Sequence, residues 1–401
     1  MFDPTFGVVF WVKLVMQTAV WAFIMISAIL AFKLTESATW VGIVGAAVML
    51  PQLGLALLSG RLSDQYGPVR QLVTGSFISG AASLALSLWF LFSDVGPDVG
   101  ATALVVSSLI FGVGLALSSP AQQSIIPLLV SAEELPAAVG LNFVPMTLAR
   151  TAGPALGAFA VNAWGPVPAL LFAGSITLLV IPFFRLIQRR LVQGFTAAGD
   201  HRILSALKFV WTHKPVLVCL IGVAVIGAGS EAAVTLSPVV ANSFGEPSSG
   251  GGVLTAAFGL GGLIGVVIHR MVERRGTAGL QGCLAMIILG AAVVVAPLGG
   301  TLSFAAGVLV LGGAGMVAGF TAFSIAVQLG SPPEMLGRVM ALWTLAAAGF
   351  RPPAAVVLGL VADHFSTETA LIGAGLFMVA AGIGICVALR YSRTKSEIPS
   401  R

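Results

Sequence analysis

Twelve continuous apolar runs, each of at least about 18 residues, constrain this chain more than any other feature. A hydrocarbon core about 30 Å thick takes about 20 residues of helix, and inside it every backbone amide must be satisfied within the protein. The runs are Phe6 to Phe32, Trp40 to Ser59, Gln71 to Phe92, Ala101 to Gln122, Ala137 to Ala163, Val167 to Ile187, Pro215 to Ala241, Gly250 to His269, Gly279 to Leu298, Leu302 to Gln328, Gly337 to Val361 and Thr369 to Leu389. They do not alternate polar with apolar, and each far exceeds the roughly ten residues of a membrane β-strand, so a β-barrel is excluded. A soluble fold fails on composition. Only 9% of the 401 residues are charged and 57% are hydrophobic, whereas about a quarter of a globular domain is charged. The expected fold class is all-α and integral to a membrane, with twelve transmembrane helices in two pseudo-symmetric six-helix bundles.

The formal net charge of +5 would by itself suit a nucleic-acid partner. The positions of the cations argue otherwise. Of the 20 Lys and Arg, sixteen fall in one alternating set of connections and in the tail, Lys33 alone falls in the other set, and Lys13, Arg150 and Arg351 lie inside spans. Cytoplasmic loops retain Lys and Arg. Both termini are therefore expected in the cytoplasm, with the chain in the inner (cytoplasmic) membrane, and an odd span count would place the basic tail on the wrong side. The first span is too long for a signal-peptide core and has no basic flank before it, so no cleavage is expected. The hydrophilic stretch Gln188 to Lys214 follows the sixth span and divides the chain into an N-terminal bundle (1–187), a linker (188–214), a C-terminal bundle (215–390) and a tail (391–401). Ile203 to Trp211 within the linker suits a short amphipathic surface helix, with Arg202 and Lys208 towards the headgroups. Cys219, Cys283 and Cys386 lie singly in three spans, with no metal spacing and no disulfide pair, and read as apolar packing.

An ionisable group at membrane depth is costly enough to be a functional candidate by default. Arg150 lies thirteen residues into the fifth span, Arg351 fourteen into the eleventh and Glu231 sixteen into the seventh, which at 1.5 Å per residue puts all three near the midplane. Two arginines and one carboxylate suggest a positive cavity for an anionic substrate. A permanent pairing of Glu231 with one arginine is the structural alternative, and Arg150 can instead hydrogen-bond backbone at a gate. Glu231 is the only carboxylate well inside any span, so it is the natural proton carrier. Lys13, nearer the end of its span, can snorkel to the headgroups. Asp363 and His364 form a second candidate proton site, or simply a solvated helix end. Gln17, Gln52, Gln122, Asn142 and Gln328 either line a cavity or bridge helices. Gly259-Leu260-Gly261-Gly262 sits inside an apolar span with no preceding strand, so close helix packing explains it better than nucleotide binding.

The two halves share a loop pattern between their second and third spans. The first reads Gly60-Arg61-Leu62-Ser63-Asp64-Gln65-Tyr66-Gly67-Pro68-Val69-Arg70, and the second His269-Arg270-Met271-Val272-Glu273-Arg274-Arg275-Gly276, each with an acid three residues before a glycine. Such acids and arginines can latch one conformation by pairing across loops and accepting hydrogen bonds from a helix N-terminus. The first loop resembles the signature of the major facilitator superfamily, Gly-x-x-x-Asp-Arg-x-Gly-Arg-Arg, at Gly60, Asp64, Gly67 and Arg70, and departs from it at Gln65, Pro68 and Val69. Arg150-Thr151-Ala152-Gly153-Pro154-Ala155-Leu156-Gly157 is similar to the Gly-Pro motif that exporters of that superfamily carry in their fifth helix. Leu34 to Gly42, Pro120 to Ser124, Glu133-Glu134-Leu135 with Leu141-Asn142, and Leu336 to Met340 look like its enterobactin-exporter and macrolide-efflux branch. The resemblance runs nearly end to end. It implies the major facilitator fold, secondary active efflux and a gating role for Gly60, Asp64, Gly67 and Arg70, with Gly153, Pro154 and Gly157 as the exporter motif; the shared loop pattern extends the gating role to Glu273, Arg274, Arg275 and Gly276 in the second half.

The chain is thus expected to export a small organic molecule, siderophore-like anion or drug, by proton-coupled antiport. It carries no ATP-binding sequence, so a proton gradient replaces any cofactor. Expected partners are the substrate, protons and membrane lipid, with no nucleic acid, and the chain is expected to act as a monomer. A sensor or scaffold on the same fold stays open. No nucleophile with a base, paired acid or metal cluster stands at membrane depth, so no enzyme is expected.

Overall fold

The computed structural model describes residues 4–93, 96–125, 135–188, 203–246, 249–272, 277–332 and 335–396. The described residues are helical throughout apart from turns and connections. The first four predicted spans are unbroken helices, α1 (Pro4–Thr35), α2 (Ala38–Tyr66), α3 (Pro68–Phe92) and α4 (Pro97–Ser124). The fifth is α5 (Leu135–Trp164), which stays helical through Pro145 and Pro154. The sixth steps at Val180 into α6 (Pro166–Leu179) and α7 (Ile181–Gln188). The predicted amphipathic segment is α8 (Ile203–Thr212), and the next span divides into α9 (Lys214–Val234) and α10 (Ser237–Ser243). Then come α11 (Gly250–Val272), α12 (Ala278–Val295) with a 3-10 turn at Ala296–Gly299, α13 (Leu302–Leu329), the pair α14 (Leu336–Gly349) and α15 (Arg351–His364), and α16 (Thr367–Ser396).

Eleven segments of the described residues are long and apolar enough to cross a membrane. The predicted fifth span is not among those eleven, and a 30-residue helix occupies its place in the order. Helix boundaries follow local chemistry. Pro68, Pro97 and Pro166 open α3, α4 and α6 at positions whose N–H has no intrahelical partner. Gly67 links α2 to α3 at φ +81, a conformation that side chains with a Cβ rarely adopt, so the turn between the two helices depends on glycine.

The chain forms two compact units, residues 1–198 with 237–256, and residues 199–236 with 257–401. The segment 237–256, which the sequence assigns with all of 215–390 to one bundle, clusters with the first unit. In unit 1, α1 packs on α5, α2 on α4, and α3 on α4 and α6. In unit 2, α12 packs on α13 and α16, and α9 lies against α13, α14 and α16. Small residues set how near these helices come. A Cβ on Gly75 would run into the Gly114 carbonyl, one on Gly261 into the Val310 carbonyl and one on Gly313 into the Phe258 carbonyl, which is backbone-to-backbone packing of the kind lipid-embedded helices use. Large apolar side chains meanwhile face outward, among them Phe92, Phe159, Leu179, Leu311 and Phe377. That pattern would be a liability in water and is what a protein solvated by acyl chains requires.

Candidate functional site

Glu231 stands in the last turn of α9, fully buried at 0% exposure. Its Oε1 accepts a 2.5 Å hydrogen bond from Arg351 Nε, making an ion pair, and its Oε2 accepts one of 2.7 Å from Thr235 Oγ1. A carboxylate in the last turn faces the negative end of the helix dipole, and Arg351, the first residue of α15, faces a positive one. Each charge alone is in the wrong place. Together, out of water, they compensate one another, and removing either would strand the other.

The local sequence explains this meeting. Pro352 and Pro353 cannot donate to the carbonyls of Ala348 and Gly349, so the eleventh span steps at Phe350 and begins again at Arg351. Gly227 and Gly229 bring α9 in close. A Cβ on Gly227 would strike the Ala347 carbonyl of α14, and one on Gly229 would strike Met378 Sδ of α16. Larger residues at either position would push Glu231 away from its partner.

The pair is not saturated. The Arg351 side chain is 19% exposed, yet its Nη2 is buried with no hydrogen-bond partner, as is Trp343 Nε1 on α14. Both atoms are donors and belong to unit 2. Unsatisfied buried donors are uncommon because each costs about 1–3 kcal/mol. An acceptor on a ligand bound at the ion pair would satisfy Arg351 Nη2.

Arg150, the third predicted charge, belongs to the other unit. It lies in unit 1 with its guanidinium 5.3 Å from the Trp21 ring centroid, a cation–π contact between α5 and α1. The Gly-Pro motif beside it builds the same interface. A Cβ on Gly153 would sit 2.6 Å from Trp21 Cβ, and one on Gly157 would sit 2.8 Å from the Ala22 carbonyl. The Pro154 carbonyl lies 3.0 Å from where Gly252 would carry a Cβ, so the start of α11 also rests on α5. Thr255 Oγ1 donates to Ser237 Oγ at 2.9 Å and ties this part of α11 to α10.

Other predicted residues divide in the same way. Lys13 does not reach an exposed end. It is 6% exposed and packs with Met16, Leu72, Gln122 and Phe184. Gln17 bridges α1 to α4 by donating to Gln122 Oε1 at 3.5 Å, whereas Gln328 donates to Ser324 of its own helix. His364 closes α15 exposed, its Nδ1 2.9 Å from the Leu360 carbonyl, as at a solvated helix end. Of the gating residues, Gly67 makes the turn and Arg70 is exposed on α3. Gly60 and Asp64 lie on α2 with side chains outside the described residues, and Glu273, Arg274, Arg275 and Gly276 lie outside them altogether. Among the described residues no group of His, Cys, Asp and Glu could hold a metal ion. The three cysteines, free thiols on three different helices, lie near one another in space.

Two partners escaped the sequence reading. Thr235 is four residues after Glu231, on the same helix face, and that spacing was the available signal. Trp21 is remote in sequence from Arg150, and nothing in an apolar helix marks one aromatic as its neighbour.

Comparison with known proteins gives a consistent picture. A family profile described as "Transmembrane secretion effector", of the major facilitator type, matches residues 1–401. The uncharacterized major facilitator-type transporter YdeG of Bacillus subtilis (strain 168) is 24% identical over 289 residues, which is 68% of this chain and 65% of that protein, so the match spans just under two thirds of the relative's length. Among solved structures, the nucleoside transporter NupG superposes with a TM-score of 0.75 at 12% identity, covering 97% of this chain and 100% of that one. A bacterial homologue of the iron transporter ferroportin, in an inward-facing state, gives 0.74 at 15%, covering 96% and 99%. At these identities the structures establish the fold.

Proposed function

The chain belongs to the transmembrane secretion effectors of the major facilitator superfamily, a multi-pass membrane transporter, and from that premise we propose that it exports a small organic anion in exchange for protons. Glu231 and Arg351 are the exchange centre. With Glu231 ionised, its hydrogen bond fixes the Arg351 guanidinium and leaves Nη2 for a substrate carboxylate, catecholate or similar acceptor. A proton arriving at Glu231 removes the charge that holds Arg351, the guanidinium loses its pose, and the anion leaves. Substrate and proton then bind alternately, which is antiport.

The observation that carries this reading is an ion pair whose carboxylate is fully buried and whose guanidinium keeps a buried donor unused, in a largely apolar span. Thr235 links the centre to the chain beyond it. The Glu231 carbonyl also accepts the Thr235 N–H at 2.8 Å, and α9 ends within three residues of the carboxylate. Opening the pair therefore loosens the last turn of α9, the segment that leads into α10. In the export direction the cytoplasmic side loads substrate, as the basic connections and the fifth-span Gly-Pro motif favour, with both termini on that side of the inner membrane. Siderophore-like catecholates and anionic drugs have the matching chemistry.

The test is uptake into inside-out vesicles with an imposed acid-inside gradient, comparing an anionic catecholate and a cationic dye for wild type and Arg351→Lys. Wild type is expected to accumulate the anion and not the dye. The lysine variant, which keeps charge but not the guanidinium fork, is expected to lose at least about tenfold in anion uptake. Accumulation of the dye alone would overturn the anionic reading.

A further inference from the structure

Away from the charged centre, unit 1 carries a groove of about 580 Å³ between α3 and α4. Small side chains cut it, Ala82 and Ala85 on one helix and Ala103 on the other, and Trp89, Val106 and Ile110 form its walls. Its volume is in the range of small-molecule sites, about 300–1,000 Å³. Val99, Val106 and Ile110 are exposed large apolar residues, so the groove opens outward, where a bilayer supplies acyl chains. It holds one charged residue, Asp98, in the first turn of α4.

The dimensions identify an occupant. Asp98 and Ile110 are twelve residues apart on one helix, about 18 Å at 1.5 Å per residue, and half of a 30 Å hydrocarbon core is about 15 Å. The groove therefore runs from the α3–α4 end of the span to about the midplane, the reach of one acyl chain. Trp89 lines the groove on α3, within a turn of that helix's end at Phe92, and tryptophan favours the headgroup boundary. Thr102 donates its hydroxyl to the Asp98 main-chain carbonyl at 2.8 Å and not to the carboxylate.

We propose that this groove binds one phosphatidylethanolamine molecule, with an acyl chain along the alanine floor and the primary ammonium on Asp98. A primary ammonium gives a carboxylate a charge-assisted hydrogen bond, which the quaternary ammonium of phosphatidylcholine cannot donate. An anionic headgroup would be repelled. Asp98 also complements the N-terminus of α4, and a purely local role of that kind would leave lipid preference unchanged when the charge is removed.

The experiment uses the full chain in nanodiscs doped with either phosphatidylethanolamine or phosphatidylcholine bearing a diazirine on the acyl chain, followed by mapping of cross-linked peptides. Wild type is expected to label within residues 82–110, several-fold more with the ethanolamine lipid. Asp98→Asn, an exposed and conservative change, should bring the two lipids level, and Ala103→Trp should abolish labelling of the groove by both. Equal labelling of wild type by the two lipids, an unchanged preference in Asp98→Asn, or adducts spread evenly over the helices would each overturn the assignment. Asp98→Asn keeps the test valid if Ala103→Trp fails to fold, since only the charge is altered.

Discussion

The two units hold their span arginines differently. In unit 1, Arg150 lies over Trp21 at an interface of α1 and α5, and both helices run unbroken through it, α5 in spite of Pro145 and Pro154. In unit 2, Arg351 sits where a span breaks at Phe350 and pairs with a carboxylate in the last turn of another broken span. The Trp21 ring that Arg150 meets cannot take up a proton. The carboxylate that Arg351 meets can, and it stands where two helices are interrupted. The lesson is that burial of charge does not by itself mark a moving part; charge at interruptions of the backbone does, because both the protonation state and the hydrogen-bond pattern can change there.

That contrast can be broken experimentally. The largest effect is expected for Glu231→Gln, which strands the Arg351 charge, at about 3–5 kcal/mol of stability. Thermal unfolding in detergent should register it, and the double change Glu231→Gln with Arg351→Met should be less destabilised than the single one, because no charge is then left uncompensated. Full additivity in that cycle would contradict the pairing. Thr235→Val removes a hydrogen bond to a charged oxygen and should cost about 1.5–3 kcal/mol. Its transport should become less steeply dependent on the proton gradient.

Smaller effects belong to unit 1. Gly153→Ala places a methyl 2.6 Å from Trp21 Cβ and should cost about 1–3 kcal/mol as overpacking. Proton coupling should persist in whatever folds. Trp21→Leu keeps an apolar side chain but loses the cation–π contact, about 0.5–2 kcal/mol, again with coupling preserved. If Trp21→Leu instead abolished proton-driven transport while Thr235→Val left it intact, the roles assigned to the two units would have to be exchanged.

Most of the fold was legible in the amino-acid order because a bilayer leaves few choices. Span length and uninterrupted hydrophobicity follow from lipid thickness and the absence of water. Prolines told less. Pro352-Pro353 does interrupt its span, whereas Pro145 and Pro154 do not, since tertiary packing around α5 holds that helix together. Glu231, Arg150 and Arg351 were each visible as charges at depth. Which arginine the carboxylate takes depends on close approaches at Gly227 and Gly229, three-dimensional facts that spacing along one chain does not encode. The convergence of Cys219, Cys283 and Cys386 was hidden for the same reason. Thr235 shows the limit from the other side: its position was readable, but only once Glu231 was known to need a second donor.

The most direct test of the exchange centre is the pH inside acid-loaded, inside-out vesicles, followed with an impermeant dye as an anionic catecholate is added outside. Coupled exchange at Glu231 predicts that the lumen of wild-type vesicles becomes more alkaline while the anion accumulates, and that Glu231→Gln vesicles show neither change. Alkalinisation and accumulation that persist in Glu231→Gln, or accumulation in wild type that instead requires an alkaline interior, would contradict it.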